Sequence, residues 1–199
     1  MGHRDSFISQ SLKNIRTIEP EQRISPYMCK EIIKQWSGKG SIVILELNAG
    51  EGSISKQILK KLNPDSRLIS LEADVTFCKI LREINDNRHT VIQVDVLDSN
   101  FALTSLPIGQ VDIIISAVPF MHSSEEQITK IVQDSYDRLT DDGKFIQVQY
   151  SSAAKKLYEK ILGVVQIKFL PFNVPPAFLF IMNKSINQRI EINDKSGKS

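Results

Sequence analysis

Long apolar runs are missing from this 199-residue chain. No stretch of about 18 consecutive apolar residues occurs, which excludes a membrane-spanning helix read from hydropathy. The first thirty residues hold no apolar core of signal-peptide length, so the expected location is the cytoplasm, with contact at the inner membrane face as an addition. Cysteine is scarce. Cys29 and Cys78 lie 49 positions apart with no second Cys or His at ligand spacing, which argues against both a disulfide framework and a metal site. Charge of one sign is lacking too, since 25 basic and 23 acidic residues leave a formal +2, and no field of the whole molecule draws it onto nucleic acid. Repeats and low-complexity tracts are absent.

What is present is alternation. Apolar runs at Ile42–Leu47, Arg67–Leu71, Thr90–Val94, Val111–Ser116 and Lys144–Tyr150 are expected to be strands, separated by stretches of helical spacing such as Ile54, Ile58, Leu59 and Leu62, or Phe77, Ile80, Leu81 and Ile84. This is the pattern of a parallel sheet with helices on both faces. Two further runs, Val165–Leu170 and Phe178–Met182, are joined by only seven residues, too few for a crossover helix, and predict an antiparallel hairpin. The fold class expected is α/β, a Rossmann-like doubly wound sheet of seven strands, mostly parallel with an antiparallel C-terminal hairpin. One domain is expected over residues 1–184, with an N-terminal helical cap to about residue 36 and a polar tail over 185–199.

The first strand ends in Glu46-Leu47-Asn48-Ala49-Gly50-Glu51-Gly52. In a doubly wound sheet ligands bind at the carboxyl ends of the strands, and Gly50 and Gly52 are expected there to let a ligand approach the backbone. A dinucleotide fingerprint needs a third glycine, and that place falls on Ser55. A glutamate inside the turn also disfavours a pyrophosphate, whereas a cationic sulfonium tolerates it. Glu72 ends the second strand, 20 residues past Gly52, where a carboxylate can accept ribose hydroxyls. Asp95 follows the third strand, where it can accept the adenine amine with Val96 against the ring. The cofactor expected is S-adenosylmethionine.

These stretches, with Leu71-Glu72-Ala73-Asp74, Asp95-Val96 and Leu139-Thr140-Asp141-Asp142-Gly143, resemble the motifs of class I S-adenosylmethionine-dependent methyltransferases over roughly residues 40–182. Asn48 stands where that family has its first glycine. Asparagine best tolerates a left-handed backbone among the other residues, so the turn is expected to survive. The resemblance implies a cofactor site of Glu46, Asn48, Gly50, Gly52, Glu72, Ala73, Asp95, Val96 and Ser116. "SAVPFMHS" at 116–123 resembles both the Asn-Leu-Pro-Tyr signature of ribosomal RNA adenine dimethyltransferases and the corresponding stretch of bacterial phospholipid N-methyltransferases. Ala117 stands where the RNA enzymes carry asparagine. "RLTDDGKFIQVQYS" at 138–151 and "NVPPAFLF" at 173–180 are similar to segments of the phospholipid enzymes, as is the entry "FISQSLKNIRTIEPEQRISPYM" at 7–28.

The resemblance implies an N-methyltransferase acting on an amine such as the phosphatidylethanolamine head group, with Ser116, Pro119, Phe120, His122 and Tyr150 around the reacting amine. Phe7, Ile8, Leu12 and Ile15 share much of one helical face, which allows contact with a membrane surface or a roof over the cofactor. Two alternatives stand beside this reading: an rRNA adenine N6-methyltransferase, and a noncatalytic binding protein of the same fold.

Overall fold

The computed structural model describes residues 24–36, 40–98, 101–120 and 123–186. Five parallel strands form most of one sheet: β1 (Val43–Leu47), β2 (Arg67–Glu72), β3 (His89–Gln93), β4 (Val111–Ser116) and β5 (Leu139–Gln149). The hairpin of β6 (Gln166–Leu170) and β7 (Ala177–Asn183) completes it, with β7 antiparallel to both β5 and β6. Spatial order is β3-β2-β1-β4-β5-β7-β6, so the winding reverses between β1 and β4. That reversal opens a crevice at the carboxyl ends of the parallel strands.

Side-chain alternation along buried strands feeds two apolar layers. Leu45, Leu47, Leu71, Ile114 and Phe145 face one side, where α4 (Glu125–Arg138) and α5 (Lys155–Leu162) cover them. Ile44, Leu68, Ile113, Ile115 and Ile146 face the other, under α1 (Pro26–Ile33) and α2 (Ser53–Leu59), and α3 (Val75–Arg82) packs by β3. Ser25 caps α1 by accepting the Met28 N–H at 3.1 Å, and Pro26 begins the helix where a missing N–H costs nothing. Glu31 ties α1 to Lys34 at 2.6 Å and to Lys168 of β6 at 2.5 Å, and these ammonium partners hold its carboxyl below the usual range.

The seven strands, their mostly parallel pairing and the antiparallel terminal hairpin at one edge agree with the sequence reading. Two connections do not. Between β3 and β4 helical spacing is absent: the described residues of 94–110 form a chain whose regular structure is one 3₁₀ turn, Leu103–Ser105. Asp95, Asp98, Pro107 and Gly109 break any helix there, and Leu97, Phe101, Leu106 and Ile108 plug the core instead. The buried Arg138 guanidinium fastens the segment by donating to the carbonyls of Leu103 at 2.6 Å, of Leu106 at 3.4 Å, and of Ile108.

The second correction concerns β5, which begins five residues before the expected Lys144 and leaves Tyr150 just past its end. Leu139 pairs with Val111, and the next pair is Lys144 with Ile113, so residues 140–143 bulge within the strand. Gly143 is needed in the bulge, because a Cβ would sit 2.8 Å from both the Leu139 Cβ and the Thr140 carbonyl oxygen. Most of the expected N-terminal cap, His122 and nearly all of the polar tail lie outside the described residues.

Candidate active site

The carboxyl edge of the sheet gathers the turn after β1, the end of β2, the segment after β3 and the loop after β4. At the first turn Asn48 has φ 61°, Gly50 56° and Gly52 77°. Asn48 holds its left-handed backbone, as expected, and its side chain adds something the sequence did not show: Nδ2 donates to the Ala117 carbonyl at 3.2 Å, joining the first turn to the loop after β4. Asn48→Gly would ease the backbone but remove a hydrogen bond worth about 1 kcal/mol. Cofactor affinity of that variant is expected to stay within about fivefold by calorimetric titration, because these effects oppose; a hundredfold gain would mean that the asparagine spoils the turn.

The two glycines have different reasons. A Cβ at Gly50 would meet nothing within 4 Å, so that side of the turn lies open to a ligand. A Cβ at Gly52 would come within 2.9 Å of Leu81 Cδ2 and 3.2 Å of Ile84 Cδ1. Close packing of the α3 region, together with φ, requires that glycine, whereas packing places no such demand on Gly50.

Glu72 fastens the edge. Its Oε2 accepts the Gly50 N–H at 2.7 Å and its Oε1 accepts the Asp74 N–H at 2.8 Å, while Ala73 between them is exposed. Asp74 then caps α3, accepting from Thr76 and Phe77 N–H groups at 2.7 and 3.0 Å. Asp95 lies two residues past β3, exposed, accepting the Leu97 N–H at 2.8 Å. Val96 is turned inward against Leu47, Phe101 and Ile131, where it borders a cavity of about 10 Å³.

Beneath the turn lies Glu46, 1% exposed. Its Oε2 accepts hydroxyls from Ser55 at 2.6 Å and Ser70 at 2.9 Å, and the Ser70 Oγ stands 2.9 Å from His89 Nε2. Oε1 is buried without a partner. Burial pushes the carboxyl up to about 7; the serine hydrogen bonds oppose the rise and the Glu72 charge adds to it. The sequence reading gave neither serine a role beside Glu46. Ser70 is a small polar residue within the run Leu68-Ile69-Ser70-Leu71, and Ser55 lies on an otherwise apolar helical face, which is the only signal available.

The loop after β4 is held from several sides. The Ala117 N–H donates to the Leu47 carbonyl at 3.1 Å, Ser116 Oγ accepts the Val118 N–H at 3.4 Å, and Gln147 Nε2 donates to the Val118 carbonyl at 3.1 Å. Gln147, fully buried on β5 and paired with Ser116, was passed over in the sequence reading although a polar residue between Ile146 and Val148 marks it. Pro119 is half-buried and Phe120 packs into the layer with Ile128, whereas Tyr150 lies against the layer on the opposite face. Those two aromatics therefore belong to different faces of the sheet. Asn173, in the β6–β7 turn, is fully buried and accepts the Ser25 N–H at 3.4 Å.

An open glycine turn with the carboxylates of Glu51, Glu72 and Asp95 on its edge suits a cationic sulfonium nucleoside and repels a pyrophosphate. The family model described as ribosomal RNA adenine dimethylase matches residues 23–164. The chain belongs to that family. It is a methyltransferase with S-adenosylmethionine as its cofactor.

An ornithine lipid N-methyltransferase from Singulisphaera acidiphila is 29% identical over 174 residues, covering 86% of this chain and 91% of the relative. Ribosomal RNA small subunit methyltransferase A from Blochmanniella pennsylvanica is 26% identical over 156 residues, 75% of this chain but 57% of the relative. Among solved structures, TrmN from Thermus thermophilus superposes with a TM-score of 0.65 at 15% identity, over 81% of this chain and 49% of TrmN, a likeness of fold.

Proposed function

We propose that this methyltransferase transfers methyl groups to the amine of a lipid head group. The observation that carries the reading is the match to the ornithine lipid enzyme, which spans 86% of this chain and 91% of that relative, where the RNA enzyme is matched over 57% of its length. Ala117 supports it, because an alanine offers no side-chain amide to hold an adenine edge, and a formal +2 gives little attraction to RNA phosphates. Head groups of the ornithine and the phosphoethanolamine kind both fit this reading, since each presents a flexible primary amine.

The bound cofactor supplies an electrophilic methyl on its sulfonium. The chain's own contribution is positioning. Asn48 and Gln147 fix the Ala117 and Val118 carbonyls, so the loop presents fixed acceptors that aim an amine's N–H groups and with them its lone pair. Each carbonyl has a second lone pair, and occupancy from below leaves one for the acceptor. Burial of Ser116, Val118 and Phe120 keeps water from the floor of the site.

The test is a labelled-methyl transfer screen with purified protein against vesicles containing ornithine lipid, vesicles containing phosphatidylethanolamine, and ribosomal RNA. Label is expected in the lipid phase, with one head group preferred. Label in adenine of the RNA alone would overturn the lipid reading and leave the methyltransferase assignment in place.

A further inference from the structure

The β6–β7 turn is built inside out. In Pro171-Phe172-Asn173-Val174-Pro175-Pro176 the single polar side chain, Asn173, is fully buried, while Phe172 is 77% exposed and Val174 82%. Solvent-facing turns ordinarily show water their polar residues. Here Asn173 is turned inward as a fastener: Oδ1 accepts the Ser25 N–H at 3.4 Å, Nδ2 donates to the Pro175 carbonyl at 2.7 Å, and its own N–H donates to the Leu170 carbonyl at 3.3 Å. The Phe172 ring meets Tyr27 edge-on at 5.7 Å. The apolar tip is thus held in a fixed shape.

Its backbone carries few donors that call for water. Three of the six residues are prolines without an N–H, and the Asn173 N–H is already bonded within the chain. Cations share this edge: Lys155 and Lys156 are exposed at the start of α5, which follows the end of β5, and no acidic residue falls between Gly143 and Tyr158, while Lys155 pairs with Glu159 at 3.0 Å. The place matters most. Phe178 pairs with Gln149 and Ala177 with Leu170, so the tip stands at the carboxyl edge of the sheet, the edge of Gly50, Glu72 and the loop after β4.

We propose that this turn inserts into a lipid surface, with Phe172 and Val174 entering the acyl boundary and Lys155 and Lys156 meeting head-group phosphates, so that the methyl-donor edge is set against the bilayer. An apolar knob on an edge that also carries cations is the composition that partitions into such an interface. The proposal deepens the lipid-amine reading and rests on it for the purpose of the insertion, while insertion itself is measured without catalysis.

The chain has one tryptophan, Trp36, so Phe172→Trp in a Trp36→Phe background reports on the tip alone. With vesicles of phosphatidylcholine and about 30% phosphatidylglycerol, emission is expected to move to the blue and to be quenched by lipids brominated in the acyl chain. Phe172→Ser with Val174→Ser should lower vesicle partitioning about tenfold or more and leave cofactor affinity within about twofold. Emission and quenching indifferent to vesicles would overturn the proposal. So would emission already blue without lipid, whether it grows with protein concentration, which assigns the tip to a second copy, or is lost on removing residues 1–23, which assigns it to the chain's own beginning. A quenched tip in a protein that methylates no lipid keeps the insertion and rejects the substrate; lipid methylation in micelles with an unquenched tip does the reverse.

Discussion

Glu72→Ala is expected to weaken S-adenosylmethionine binding about a hundredfold. The carboxylate acts twice at the site. It accepts the Gly50 and Asp74 N–H groups at 2.7 and 2.8 Å, which fixes the glycine turn against the end of β2, and it stands at the carboxyl edge where ribose hydroxyls would donate to it. A carboxylate has roughly four acceptor positions, so one such group can serve both backbone and ligand. Hydrogen bonds to a charged acceptor contribute about 1.5–3 kcal/mol, and removing them while loosening the turn gives the hundredfold. Glu72→Gln keeps one accepting oxygen and loses the charge, so its loss should be nearer tenfold. Titration calorimetry measures both. Alanine and wild type binding equally would remove Glu72 from the cofactor site; alanine losing affinity only in proportion to its thermal stability would reduce it to a fastener of the turn.

Much of this was legible in the sequence, for identifiable reasons. Buried parallel strands are continuous apolar runs, so β1, β2 and β4 declared themselves, and seven residues between the last two runs permit only a hairpin. Asn48 was readable because few residues accept φ near 61°. Other features depend on what the chain meets after folding. That Gly52 faces Leu81 and Ile84 follows from the docking of α3, which no spacing in the turn encodes. The segment between β3 and β4 has apolar residues enough for a helix, but Arg138, some thirty positions on, ties its carbonyls into an irregular plug. Asn173 reads as an ordinary turn residue until Ser25, 148 positions away, is seen bonded to it, and only then do Phe172 and Val174 stand out as deliberately exposed.

The same contrast governs Glu46, whose place in the motif was plain and whose ionisation was not. Its carboxyl is raised by burial to about 7 from an ordinary value of 4.5. The folded chain therefore holds a proton that the unfolded chain releases across that window, and this group's effect on stability runs opposite to that of most surface acids. Below about 4.5 it is protonated in both states and costs nothing; as pH rises toward 7 the unfolded chain ionises while the folded one does not, and stability falls; above 7 both are ionised and the loss levels off. The total is about 3 kcal/mol, from roughly 1.4 kcal/mol per pH unit for one proton. Glu46→Gln retains an oxygen for Ser55 and Ser70 and cannot ionise, so urea titrations should show the variant gaining on wild type by about that amount between pH 4.5 and 8. Equal pH profiles would exclude Glu46 as the titrating group. Its neighbours separate the alternatives: the Glu72 charge contributes to the rise, so Glu72→Ala should flatten the decline slightly, whereas His89, which meets Ser70, is pushed down by burial and charges only at lower pH. A cationic ligand bound above the turn would reverse the balance. S-adenosylmethionine bound at this turn would bring positive charge to the edge that Glu46 underlies and favour its carboxylate, so near pH 7 binding is expected to release a fraction of a proton. Binding enthalpies measured in buffers of different ionisation heat read that release, and its disappearance in Glu46→Gln would locate the proton on this carboxyl.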